Sequence, residues 1–300
     1  MRSHRVSAKV FSVLVVVLIA VLVALIFAVQ DKMIYHPRPY RDAQLTQFIG
    51  NKERVQALSY STSQGPQQCY YVPPRSNSGG RLPASLWVFF TGNGGLALDW
   101  MCLVKGYPSP EDAFLLIEYP GYGNCAGHPS SKHIQQSANA ALTTLAAHLG
   151  TTIAELEPRL KILGYSLGAA TALAFASDHP VSRVVLVAPF SSLQDMARLR
   201  VGWPLCYLLR DRFDNRARIR EITTRASSPS IEILLGTQDE MIPFTMGREL
   251  AGISPAVHFQ AVNGVGHNDI LGQEDRIYAA MGATGLSAGK QTSIPTSPRQ

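Results

Sequence analysis

The chain begins with an apolar run and then settles into alternation. Residues 10–29, VFSVLVVVLIAVLVALIFAV, are interrupted only by Ser12. A helix of ~20 residues spans about 30 Å, the depth of a hydrocarbon layer, so this run predicts a transmembrane or targeting helix. Beyond residue 54, short apolar runs recur at 55–61, 68–72, 85–91, 113–119, 160–164, 183–188, 230–235 and 256–262. Several are continuous rather than alternating, as expected of parallel strands covered on both faces. Helical patterns fill 131–149, 166–177, 243–252 and 268–282. Strand and helix in alternation predict an α/β domain, with helices on both faces of a mostly parallel eight-stranded sheet. No helix separates the first two runs, so an antiparallel hairpin opens the sheet.

Two segments fall outside the alternation. Pro189 to Pro229 has no strand-like run but carries arginines, Trp203, Tyr207 and Phe213. It predicts a short cap, about 190–228, over the carboxyl edge of the sheet. Residues 285–300 lack periodicity and predict a disordered tail. The expected organisation is a basic stretch 1–9, the apolar helix 10–29, a lead-in 30–54, the α/β domain 55–284 and the tail.

Composition narrows the class. With 300 residues and 46% hydrophobic content, the chain can bury a large core. The net charge of +6 does not mark a nucleic-acid binder, because residues 1–9 supply +3 and the tail +2. An internal arginine concentration, Arg198 to Arg225, reads first as a solvated helical face with internal ion pairs. Its second reading is a contact for lipid headgroups or an anionic substrate. Arg2, Arg5 and Lys9 precede the apolar run, which favours a cytoplasmic N-terminus with the domain across the membrane. The run outlasts the roughly 7–15 apolar residues of a signal peptide and ends poorly for cleavage, so an uncleaved anchor is preferred to a secreted form. Cys69, Cys102, Cys125 and Cys206 contain no C-x-x-C pair. They leave open up to two disulfides or four buried thiols, and no zinc site is expected.

The candidate chemistry centres on one junction. KILGYSLGAATALAFA, residues 161–176, passes from a strand-like to a helix-like run through Gly164-Tyr165-Ser166-Leu167-Gly168. G-x-S-x-G at such a junction is a nucleophile elbow: the glycines admit close backbone and the hydroxyl stands clear above the sheet. The helix start also presents N–H groups to developing negative charge. A serine hydroxyl needs a base, and the base an orienting acid. In the chain order serine, acid, histidine, Asp239 follows the run 230–235 and His267 follows 256–262. Both sit past a strand's carboxyl end, where open sheets gather their ligands. Asp239 would also suit the cap of a helix starting near Pro243, and Glu240 competes for the acid role. His267 alone would pass for a surface histidine. Order and position together favour the chemical reading. An oxyanion intermediate needs donors: the backbone N–H of Leu167 is one, and Asn93 in the loop Thr91-Gly92-Asn93-Gly94-Gly95 is the other. That loop is not a phosphate cradle, because no G-K-[ST] follows it.

The ordered motifs are Met33-Ile34-Tyr35-His36-Pro37, TGNGG at 91–95, EYPGYGNCAGHPS at 118–130, GYSLG at 164–168, GTQDEMIP at 236–243 and GVGHND at 264–269. From about residue 55 to 283 the chain resembles a serine hydrolase of the α/β-hydrolase superfamily. More narrowly, it is similar to small membrane-anchored hydrolases with palmitoyl-protein-thioesterase-like and acyl-esterase-like members. The resemblance implies an α/β-hydrolase fold, a Ser166–His267–Asp239 triad, Asn93 and Leu167 as oxyanion donors, and a pocket bordered by Tyr119–His128. It implies hydrolysis of an acyl ester, thioester or lipid-like substrate with no metal or organic cofactor. The chain departs from the superfamily at Thr91, where histidine usually precedes the first glycine. Two other readings stand beside this one: a non-catalytic anchored binding domain, and a soluble esterase released by cleavage. The partners expected are a small acyl substrate and the membrane, not nucleic acid.

Overall fold

In the computed structural model, which describes residues 2–41, 54–76 and 82–283, the eight apolar runs form the eight strands of one sheet. The apolar N-terminal stretch lies within a single helix, α1 (Arg2–Ile34). There follow β1 (Gln56–Thr62), β2 (Gly65–Val72), β3 (Leu86–Phe90), a 3-10 turn Ala97–Trp100, α2 (Met101–Gly106) and β4 (Ala113–Ile117). Next come α3 (Ser131–His148), α4 (Ile153–Leu156), β5 (Leu160–Tyr165), α5 (Leu167–Asp178), β6 (Arg183–Val187), α6 (Leu193–Val201) and α7 (Asn215–Thr223). The chain closes with β7 (Ser230–Gly236), α8 (Phe244–Ala251), β8 (Val257–Val262) and α9 (Glu274–Met281).

The strands lie in the order β1-β2-β4-β3-β5-β6-β7-β8. Pairing is antiparallel from β1 through β2 to β4 and parallel from there on. Every residue of β3 and β4 is buried, which is why their sequences read as unbroken apolar runs. The edge strands β1 and β8 instead mix buried and open positions. Helix α3 starts on Ser130, whose side chain accepts the His133 N–H, and it buries a stripe of Ile134, Ala138, Ala141, Leu142 and Leu145. Phe90 pairs with Gly164, Tyr165 with Val187 and Gly236 with Val262, so the loops after β3, β5, β7 and β8 emerge at one edge of the sheet. That edge holds the candidate site.

Three expectations change. The segment 190–228 is not a free cap: α7 buries Ile219 and Ile222 and packs on α5, as a helix crossing from β6 to β7 does. Helix α6 rests on the core through Leu193 and Met196, and the turn Leu205–Leu208 meets α1. Of the two cysteine readings left open, the structure has free thiols, but not four buried ones: Cys69, Cys125 and Cys206 are buried and Cys102 is exposed. The third change concerns the membrane: among the described residues no helix is long and apolar enough to cross one. The transmembrane element expected at 10–29 is therefore not found there. Every side chain from Val13 to Leu22 is nonetheless exposed, so no face of that stretch packs on the body. The tail 285–300 and the lead-in residues 42–53 lie outside the described residues.

Candidate active site

Between β5 and α5 stands one residue, Ser166, with φ 54° and ψ −118°. That region costs a side-chain-bearing residue about 1–3 kcal/mol and persists only where the surroundings impose it. Here they do. The Ser166 N–H donates to the Val187 carbonyl at 2.8 Å, which ties the turn to β6. A Cβ at Gly164 would lie 2.2 Å from the Gly168 carbonyl oxygen, and one at Gly168 would lie 2.3 Å from the Phe90 oxygen. Both glycines are thus required by close backbone: one lets the strand meet the helix, the other lets the helix meet β3.

The loops after β7 and β8 bring two more groups to Ser166. His267 Nε2 lies 3.0 Å from Ser166 Oγ, and His267 Nδ1 lies 2.7 Å from Asp239 Oδ2. Both the histidine and aspartate side chains are buried. Gly236 lets the two loops approach, since a Cβ there would meet the Val265 carbonyl at 2.1 Å. Asp239 takes the acid reading and not the helix-cap one, since Pro243 stands at the cap of α8 and no side chain bonds there; its other oxygen shapes the loop instead. Oδ1 accepts the N–H groups of Met241 and Ile242 at 2.9 and 2.7 Å, while Oδ2 faces the imidazole. Glu240, its competitor, instead accepts the His267 backbone N–H at 3.1 Å. Tyr165 completes the enclosure: its hydroxyl donates to the His267 carbonyl at 3.1 Å, and its ring lies 5.2 Å from the imidazole. With a proton on Nδ1 shared with Asp239, Nε2 is left to accept from the serine hydroxyl.

The loop after β3 is held from outside. The Asn93 carbonyl accepts from the His36 N–H at 3.0 Å and from the Tyr122 hydroxyl at 2.5 Å. Arg38 donates to the Gly94 carbonyl at 2.8 Å and pairs with Asp99 at 2.6 Å. Tyr119 donates to the Thr91 carbonyl at 2.7 Å. Thr91 stands where the resemblance leads one to expect histidine, and its Oγ1 occupies the space beside Gly95 that a Cβ there would need, 1.9 Å away. Tyr40 donates to Glu118, which accepts the Ala97 N–H at 3.3 Å, and the Leu98 N–H donates to Tyr40 at 3.2 Å. Glu118 is wholly buried, and desolvation pushes its carboxyl up to about 8. Among the described residues the N–H groups of Asn93 and Leu167 donate to nothing, so both remain available to a ligand. In the stretch Tyr119–His128, expected to border a pocket, Tyr119 and Tyr122 are fully buried and brace this loop.

Ser166, Asp239 and His267, picked from the sequence, are therefore in one hydrogen-bonded series. Tyr122 was expected at the pocket border, and His36 and Glu118 stood in the ordered motifs; the bracing roles of all three, and of Arg38 and Tyr40, were missed. Among the described residues no group of three or more His, Cys, Asp or Glu side chains could hold a metal ion.

Comparison with known proteins places the architecture. The structure is similar to an alpha-beta hydrolase from Vibrio vulnificus, with a TM-score of 0.62 and 20% identity over 81% of this chain and 88% of that one. It is also similar to an esterase of Pyrococcus furiosus, with a TM-score of 0.60 and 13% identity over 84% and 98% of the two chains. At these identities the likeness shows the fold, and the fold is that of the α/β hydrolases. In sequence, an uncharacterized protein of Mycobacterium tuberculosis is 32% identical over 158 residues, 52% of this chain and 53% of that protein. An alpha/beta hydrolase domain-containing protein of Arabidopsis thaliana is 29% identical over 140 residues, 43% of this chain and 44% of that protein. The chain spans about half the length of the curated relatives it matches. No family model matches it.

Proposed function

We propose that the chain is a serine hydrolase, held at a membrane by α1, that cleaves a carboxylic ester or thioester of a small acyl or lipid-like substrate. The observation that carries this reading is the series Asp239–His267–Ser166, with the serine at a positive-φ elbow. Ser166 Oγ attacks the acyl carbon as His267 Nε2 takes the hydroxyl proton. The charge that develops on the carbonyl oxygen faces the N–H groups of Leu167 and Asn93, which donate to no partner among the described residues. The bond to the leaving alkoxide or thiolate then breaks, and that group receives the proton from His267. Water, deprotonated by the same nitrogen, then attacks the acyl carbon; the bond to Ser166 Oγ breaks, Oγ takes back the proton from His267, and the acid is released. Asp239 holds the imidazole in the productive tautomer throughout.

Membrane attachment is supported by the twenty-residue apolar run and by the exposed side chains of α1, which no part of the body covers. The basic residues before the run favour a cytoplasmic N-terminus and a hydrolase domain on the other side. Carbonate extraction and the mass of the mature chain distinguish an anchor from a cleaved signal. The chemical reading is tested by a fluorophosphonate probe on purified protein. Wild type is expected to take the label and Ser166→Ala to lose it, with p-nitrophenyl esters and acyl thioesters turned over in the same pattern. A folded wild type that takes no label would instead be a binding domain on a hydrolase fold.

A further inference from the structure

Beyond α1, the exposed large apolar side chains are concentrated in one place. Leu199, Val201, Trp203 and Tyr207 are 61, 41, 74 and 56% exposed. They lie between the last turn of α6 and the turn Leu205–Leu208; only Met241 is similarly exposed elsewhere among the described residues of the body. Arginines border them. Arg216, Arg218 and Arg225 are engaged by Asp195, Glu249 and Glu221, as a solvated helical face would have them. The side chains of Arg198 and Arg200 are exposed and make no hydrogen bond or ion pair among the described residues. An apolar patch with an indole, a phenol and unpaired guanidinium groups has the composition of a surface that enters a lipid headgroup layer.

Its position agrees. The Arg210 N–H donates to Gln30 Oε1 at 2.8 Å, and its guanidinium reaches the Phe27 carbonyl at 2.9 Å and the Asp31 carboxylate at 2.7 Å. Tyr35 donates to Asp211 at 2.5 Å. These bonds fix the patch to α1 where its sequence changes from Phe27-Ala28-Val29 to Gln30-Asp31-Lys32, the level at which a spanning helix leaves the hydrocarbon. We propose that the surface from Arg198 to Tyr207 lies in the headgroup layer of the bilayer that holds α1, with Leu199 and Trp203 reaching the acyl boundary and Arg198 and Arg200 meeting lipid phosphates. The inference rests on the anchored reading above. A helix alone leaves the whole molecule free to tilt and turn in the bilayer, whereas a second contact fixes the direction in which the site faces.

Trp203 reports on this directly, because Trp87 and Trp100 are buried. The full chain is reconstituted in phosphatidylcholine–phosphatidylglycerol vesicles with ordinary or brominated acyl chains, and the Trp203 emission is taken as wild type minus Trp203→Phe. Brominated lipid is expected to remove most of that emission, and the double variant Arg198→Glu/Arg200→Glu to restore much of it. Quenching that persists unchanged in the double variant would overturn the phosphate contact. Flotation on the same vesicles separates the two failures. A chain that does not float loses the anchored reading and this inference with it. A chain that floats with Trp203 equally bright in both lipids keeps its anchor and overturns the inference; a protein would then be the partner of the patch.

Discussion

The elbow at Ser166 and the loop at Thr91–Gly95 adjoin each other, yet opposite means hold them. The elbow is built from its own backbone: a positive φ, an N–H bonded to the next strand, and two glycines without which main chain would overlap. The loop has little of its own to hold it. Its carbonyls are fixed by His36, Arg38, Tyr119 and Tyr122, from segments 28 to 57 residues away in sequence. A local constraint resists any single side-chain loss outside it, whereas a borrowed one gives way in increments as each brace is removed.

The contrast can be broken or sharpened by four measurements. Asp239→Asn tests the site both regions serve: it keeps the shape but offers the wrong hydrogen-bond partner to His267, so kcat should fall by about 10⁴. A comparable loss in Glu240→Gln, and a mild one in Asp239→Asn, would exchange the roles assigned to the two carboxylates. Gly168→Ala places a methyl 2.3 Å from the Phe90 carbonyl oxygen. Because backbone cannot yield as a side chain does, Tm is expected to drop by roughly 5–10 °C; an unchanged melting curve would show that the elbow is not locally locked. Tyr122→Phe keeps the ring but removes one of two donors to the Asn93 carbonyl, and kcat should fall about tenfold with KM little moved. A kcat unchanged from wild type in both Tyr122→Phe and Arg38→Ala would mean that the loop holds itself.

The smallest effect is a slope. Burial lifts the Glu118 carboxyl from 4.5 to about 8, so the folded chain keeps a proton that the unfolded chain has released. Stability from this group is complete below the unfolded value and is lost as pH climbs towards about 8. Wild-type Tm should therefore decline between about pH 5 and 8 relative to Glu118→Gln. Parallel curves would show that Glu118 is charged in the folded chain.

What the sequence revealed follows the same division. All eight strands were legible, because a strand covered on both faces must be apolar at every position, as β3 and β4 are. The triad positions were legible because glycine spacing and loops past strand ends are local features. The choice between Asp239 and Glu240 was not, because adjacent carboxylates differ only in which way the backbone turns them. Helices α6 and α7 were obscured by arginines, with little beyond Ile219 and Ile222 to mark a buried face. The braces were invisible because nothing in HPRPY signals a partner more than fifty residues further on.

The strap from Tyr35 to Tyr40 has a consequence for how the molecule comes into being. A ribosome delivers those residues first among the body, but their partners come much later: Gly94, then Glu118 and Tyr122, and finally Asp211, 176 residues after Tyr35. Contacts so distant in sequence form only once the intervening chain has been made and folded. A segment made before all of its partners is thus among the last to dock. Until it does, a nascent chain can hold Ser166 on a finished elbow beside a loop that Tyr119 and Tyr122 alone keep in place.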